Sequence, residues 1–412
     1  MEFDLAILNL RQVVSPFSRG PVRGKDMAFL EVKSDCNIGI KNGIVEYIGK
    51  GRLTAREYVD GSLLIALPGF VDCHTHIPFT GSRSEEFFMR LEGKNYLEIM
   101  QAGGGIRSTV REVRKTAGTI LASESSTLLD RMLALGVTTV EGKSGYGLNR
   151  ETELKQLEVL NALKKLHPVD VIGTFLGAHA LPEEHSSPDR FLEEMASLFD
   201  EIGQYVDTVD IFCEKGVFSV EQSRRYLIRA KEKGFKIRLH GDELASSGGG
   251  KLAVELGALS VDHLIAADDE TLVLLSKSDT VATLLPGTSF FLKEPFARGR
   301  ELIDRGATVA IASDFNPGSC NIYNPFFIIF LAVTRCGLKI EEAITGYTAN
   351  AAAVVGLEGS KGLIKEGYDA DIVLIRASDY REVVYSFSRD IVSNVIKSGR
   401  KVFDENHYCG NR

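Results

Sequence analysis

Short apolar runs recur along the middle of the chain, and most are followed by a stretch with helical spacing. The runs lie near 67–73, 137–141, 171–176, 208–212, 236–240, 259–263, 279–284 and 308–313. Apolar positions at helical spacing fill gaps at 151–165, 188–203, 219–232, 246–256 and 268–276. Strand alternating with helix predicts a parallel sheet. Eight such units over roughly 280 residues predict an α/β fold of the closed (β/α)8 TIM-barrel type.

The two ends of the chain have a different pattern. Short alternating segments run from Asp4 to Leu10, Ala28 to Lys33 and Asn37 to Ile48, the last interrupted by Lys41-Asn42-Gly43-Ile44. Asn-Gly between apolar positions signals a hairpin, because a type I′ turn needs positive φ twice. Near the other end, Gly362-Leu363-Ile364, Asp371 to Ile375 and Val392 to Phe403 read as strands. Neither end forms a convincing domain alone. Residues 1–66 and 358–412 are therefore expected to combine into one small β-sandwich domain beside a barrel of residues 67–357.

The first barrel run ends in His74-Thr75-His76. Side chains at i and i+2 of a strand share a face, so these two imidazoles can reach one ion. The chain has eight histidines, at 74, 76, 167, 179, 185, 240, 263 and 407. His76, His179, His240 and His263 fall at the ends of expected strands one, three, five and six, and Asp314 at the end of strand eight. Barrel enzymes build their sites on that face. His167, His185 and His407 sit in polar, surface-like surroundings.

Composition narrows the partners. The net charge of −8 over 412 residues argues against nucleic acid, which needs a basic face. No apolar run approaches a membrane span, and the N-terminus lacks the order of a signal peptide. The six cysteines show no C-x-x-C spacing and read as reduced thiols, so a cytoplasmic location is expected. Gly103-Gly104-Gly105 and Gly248-Gly249-Gly250-Lys251 match neither a dinucleotide fingerprint nor a P-loop.

The segment Pro68-Gly69-Phe70-Val71-Asp72-Cys73-His74-Thr75-His76 resembles the amidohydrolase superfamily, as does the order H-x-H, His240, His263, Asp314. Within it, the chain is similar to the imidazolonepropionase family. The motifs that carry this are Glu141-Gly142-Lys143-Ser144-Gly145-Tyr146-Gly147, Leu176-Gly177-Ala178-His179, His240-Gly241-Asp242-Glu243 and Ser313-Asp314-Phe315-Asn316-Pro317-Gly318-Ser319. The resemblance implies hydrolysis of a cyclic amide, a homodimer, and one metal ion per subunit, zinc or iron.

His74, His76, His240 and Asp314 supply three nitrogens and one oxygen, a set suited to a catalytic zinc or iron with an open position. Related enzymes with two ions bridge them with a lysine on strand four. Here that strand contains none, although Lys215 lies just beyond it. Asp314 can also take a proton from water, and Glu243 can hand one to a leaving nitrogen. His263 can polarise a carbonyl or hold an oxyanion. The resemblance assigns substrate contacts to His179, Tyr146, Tyr96, Glu243, Asn316, Gly318 and Ser319. It implies a propionate tail, for which the Arg83 guanidinium is a fitting partner. Two other readings remain: a cytosine- or guanine-type deaminase on the same scaffold, and a non-catalytic assembly protein. The first has little use for Arg83, and the second no use for four metal ligands.

Overall fold

The computed structural model describes residues 2–18, 20–94, 98 and 103–405. Eight parallel strands form the expected barrel: Phe70–Thr75, Val137–Lys143, Asp170–Ala178, Thr208–Cys213, Lys236–Gly241, Ser260–His263, Val281–Leu284 and Val309–Ile311. Each pairs with the next in sequence. Strand eight meets strand one just past its end, where Asp314 N donates to His74 O (3.0 Å) and His76 N to Phe315 O (3.0 Å). The seam of the barrel thus runs through three of the residues expected to hold a metal.

The helices between strands follow local capping chemistry. Arg150–Leu166 starts behind Asn149, whose side chain accepts from Thr152 N, and Val220–Glu232 behind a Ser219/Gln222 capping box. The stretch expected as one helix over 188–203 is two, Pro188–Ser197 and Phe199–Ile202. The helix expected from 246 begins only at Gly249, because the Asp242 carboxylate accepts from the amides of Ser247, Gly248, Gly249 and Gly250 and holds that stretch as a turn.

The terminal segments share one sheet of eight strands. Its order is Arg400–Asp404, Val392–Lys397, Ile372–Arg376, Leu64–Pro68, Glu2–Pro16, Leu30–Lys41 and Ile44–Gly49, with Thr54–Asp60 pairing alongside Glu2–Pro16. Residues from both ends of the chain, among them Ile38, Ile40, Ile372, Leu374 and Ile396, pack in one apolar cluster. The Asn42-Gly43 hairpin forms as expected, with φ of 52° and 80°. Several boundaries differ from expectation. Residues 67–73 are not one strand: the chain leaves the terminal sheet at Pro68 and enters the barrel at Phe70. The separate segments Ala28–Lys33 and Asn37–Lys41 are one strand from Leu30, since pairing with the long first strand bridges the polar interval. Gly362-Leu363-Ile364 is not a strand: Gly362 has a φ of +81°, and Ile364 N donates to the Ser15 hydroxyl (3.0 Å) rather than to a ladder.

The sheet and the barrel are tied by a charge cluster around two buried lysines. Asp170 opens barrel strand three, and its carboxylate lies 2.6 Å from Lys361 Nζ and 2.8 Å from Lys397 Nζ. Both lysines also reach Asp371 in the sheet, at 2.7 and 3.0 Å.

Candidate active site

Strand alternation turns His74 and His76 to the same side of strand one, with ring centroids 5.4 Å apart. His240, at the end of strand five, lies 4.6 Å from His74 and 5.4 Å from His76. The three offer ring nitrogens within 4.8 Å of one another, all buried. Asp314 Oδ1 completes the group, 3.2 Å from His76 Nε2 and 3.5 Å from His74 Nε2. Its other oxygen accepts from Thr288 Oγ1 at 2.5 Å, which fixes the carboxylate with Oδ1 towards the imidazoles.

This cluster is short of protons and partners. Burial pushes His74 and His76 well below the usual histidine range, so both rings are neutral. His74 Nε2, His240 Nε2 and Asp314 Oδ1 are buried with no hydrogen-bond partner among the described residues. Orphaned buried polar atoms are costly unless something binds them. Three buried imidazoles, those of His74 and His76 neutral, and one carboxylate converge here and fit a divalent ion of the zinc or iron kind.

Beside the cluster, His263 lies 5.4 Å from His240 and 5.7 Å from His74, ring to ring. Burial lowers its pKa to about 4. Its Nε2 is 3.6 Å from Glu243 Oε2. Burial first, then the negative charge of Asp314, Glu214 and Glu294, raises the Glu243 carboxyl to about 8, so it keeps its proton at neutral pH. Four residues at or just past these strand ends adopt left-handed backbone angles uncommon outside glycine: Asp242 (52°), His263 (80°), Leu264 (58°) and Asp314 (55°). Strain of this kind costs roughly 1–3 kcal/mol per residue and gathers at functional sites.

Comparison with known proteins agrees with this geometry. The amidohydrolase family model matches residues 65–402. The chain belongs to the amidohydrolase family. It is 60% identical over 405 residues to an imidazolonepropionase of Kosmotoga olearia, covering 98% of this chain and 100% of the relative. An imidazolonepropionase of Bacillus cytotoxicus is 44% identical over 409 residues, 97% of each chain. These relatives place the chain among the imidazolonepropionases, hydrolases of a carbon–nitrogen bond. Solved structures share the fold at low identity. A triazine hydrolase variant superposes with a TM-score of 0.76 at 16% identity, covering 99% of this chain and 98% of that one. An adenosine deaminase from Xanthomonas campestris with bound zinc gives 0.73 at 17%, covering 100% and 97%.

The expected substrate-side residues of this amidohydrolase divide into several groups. Tyr146 and His179 stand over the histidine cluster: His179 stacks on His76 at 4.9 Å and 15°, and Tyr146 lies 5.8 Å from His76. His179 Nδ1 is 3.0 Å from Gly145 O, which orients the ring. Arg83 is already paired. Its Nε and Nη2 contact both Glu86 carboxylate oxygens at 2.8–3.0 Å, leaving Nη1 against Gly318. A Cβ at 318 would lie 1.8 Å from that nitrogen, so only glycine admits the guanidinium here. Arg83 also lines a cleft of about 600 Å³ with Phe79, Phe87, Phe315 and Asn321. Asn316 turns its side chain onto its own loop, accepting from Gly318 N (2.8 Å) and Ser319 N (2.7 Å) and donating to Asp314 O and Ser319 Oγ. It shapes the loop that carries Asp314. Tyr96 lies outside the described residues. Lys215 is exposed at the mouth of strand four.

The structure adds a layer that sequence reasoning missed. Asp262 Oδ2 is 2.7 Å from His74 Nδ1, and Asp210 Oδ2 is 3.1 Å from His240 Nδ1. Arg238, Lys143 and Glu141 complete this layer, all buried. The signal was present: charges embedded two apart in apolar strands, as in Glu141/Lys143 and Arg238/His240, point into the barrel together.

Proposed function

We propose that this chain hydrolyses 4-imidazolone-5-propanoate to N-formimidoyl-L-glutamate, the ring-opening step of histidine degradation. The observation that carries the reading is full-length identity of 60% to an imidazolonepropionase, on a chain that gathers the His74, His76 and His240 nitrogens and sets Asp314 against His74 and His76. His74, His76, His240 and Asp314 would hold one zinc or iron ion. Such an ion is a Lewis acid and lowers the pKa of bound water towards ~7.

The chain's own groups supply the rest. Asp314 Oδ1, free of hydrogen-bond donors, takes the proton of the attacking water. Neutral His263 faces the ring carbonyl and stabilises the negative charge that grows on its oxygen. Protonated Glu243 gives its proton to the ring nitrogen as the carbon–nitrogen bond breaks. His179 and Tyr146 cover the ring, and Arg83 binds the propionate tail through Nη1, with Gly318 and Ser319 on the facing loop. The water oxygen and one hydrogen end in the new carboxyl group, and the proton taken by Asp314 replaces the one Glu243 gave to the nitrogen, so the reaction needs no further reagent.

The substrate is a small molecule. The acidic net charge supports the absence of nucleic acid from its partners, and no helix among the described residues is long and apolar enough to cross a membrane. A cytoplasmic homodimer completes the proposal. Incubation with imidazolone propionate, cytosine, guanine and adenosine, with elemental analysis of the same preparation, tests it. Formimidoylglutamate from the first substrate alone is the expected result. Ammonia release from a nucleobase, with imidazolone propionate untouched, would overturn it.

A further inference from the structure

Directly under the proposed metal centre lies a second group of the same type. Asp210, His240 and Asp262 offer ligand atoms within 4.8 Å of one another, all buried, and share His240 with the first group. Its two carboxylates are each already paired with a buried cation. Lys143, the last residue of barrel strand two, places Nζ 2.9 Å from Asp210 Oδ2 and 2.7 Å from Glu141 Oε1, with all three side chains wholly buried. Arg238 does the same for the other half, with contacts of 2.8 Å to Asp262 and 2.7 Å to Glu141.

Charge dictates what this arrangement permits. Glu141, Asp210 and Asp262 are three buried carboxylates held by two buried cations. Burial and the neighbouring Arg238 both work against a charged Lys143, yet Asp210, Glu141 and Asp262 outweigh them and its pKa is raised. Without the ammonium, two of the three negative charges would be uncompensated in a dry site, which favours uptake of a divalent ion. With it, Asp210 Oδ2 faces Lys143 Nζ at 2.9 Å, with His240 Nδ1 3.1 Å away. We propose that the Lys143 ammonium is the built-in occupant of a second cation position and limits the centre to one metal ion. Lys143 is in this sense a positioning residue, acting on the ion through Asp210 and His240. The inference rests on the metal-centre reading of the preceding subsection.

Metal stoichiometry tests it. Protein stripped with a chelator is titrated with zinc, and with manganese for paramagnetic resonance. Wild type and Lys143→Arg, which keeps the charge, are expected to saturate at about one ion per chain, the count for a mononuclear site. Lys143→Gln is expected to take about two, with the magnetic signature of a coupled manganese pair. Adding Asp210→Asn to Lys143→Gln should return the count to about one, since the second ion would lose its carboxylate. Should Lys143→Gln fold poorly without metal, recovery at the second equivalent of zinc and not the first is the same result. One ion in folded Lys143→Gln, no recovery at either equivalent, or two ions in wild type or Lys143→Arg would overturn the proposal while leaving the metal centre intact. No ion in wild type would overturn both.

Discussion

Asp262 and His74 meet at 2.7 Å between Oδ2 and Nδ1, and neither side chain is reached by solvent. Arg238 and Ser260 hold Asp262 in place, and although burial raises its pKa, the Arg238 and Lys143 charges bring it below the usual range. An ionised carboxylate only accepts, so the proton of His74 sits on Nδ1 and the lone pair on Nε2 faces Asp314 and His240. Outer partners of this kind are typically worth 10–100-fold in metal affinity. Asp262→Asn should weaken zinc binding by about that factor in competition with a chelator. His74→Ala should lose the ion and the activity together. Unchanged zinc affinity in Asp262→Asn would show that the contact does not set the tautomer.

Glu243 is the proposed acid. Glu243→Gln keeps its shape and removes its proton, so kcat should fall by roughly 10²-fold or more with metal content unchanged. The sign of the pH effect follows from the raised pKa: the useful, protonated form is present below about 8 and lost above it. Attraction to a bound ion moves this downward, so wild-type activity should fall on the alkaline side at about 8 or below. That limb should be missing from the residual activity of Glu243→Gln.

Arg83 offers the tail only what Glu86 leaves free, the Nη1 edge beside Gly318. A charge-assisted contact is worth about 1.5–3 kcal/mol, or roughly ten- to a hundredfold in affinity. Arg83→Met should raise KM by that factor with little change in kcat. A substrate analogue with an amide in place of the tail carboxylate should lose as much on wild type and little more on the variant. If the two losses simply multiply, Arg83 does not bind the tail.

The Asp170, Lys361, Lys397 and Asp371 group joins barrel to terminal sheet. Burial raises the Asp170 pKa, but Lys397 and Lys361 lower it more, so its net shift is downward. A lowered carboxyl contributes stability above its unfolded value near 3.8 and loses it as the pH falls through the folded value. Lys361→Met takes the lysine partner from Asp369 and leaves Lys397 alone against Asp170 and Asp371, and should cost about 1–3 kcal/mol, less than a fully stranded buried charge. Urea midpoints at pH 7 and pH 3 measure this; the deficit should shrink at the lower pH.

Local pattern alone carried a good part of this molecule. The barrel was legible because short strand-like runs alternate with segments of helical spacing, a pattern set locally whatever the neighbours. His74 and His76 were legible because the strand period is two. His240, His263 and Asp314 were legible because a parallel barrel puts every strand end on one face. The Asn42-Gly43 turn needed only its own backbone preferences. What the sequence left open depends on which strands lie side by side. Lys143 finds Asp210 across two strands, 67 residues away, and Arg238 finds Glu141 at a separation of 97. No local period encodes those pairs. Likewise Glu86, three residues from Arg83, reads as an ordinary helix carboxylate until the guanidinium folds back on it. The proposed metal ligands were therefore legible in the sequence, while the charges beside them came together only when the barrel closed and excluded water around them.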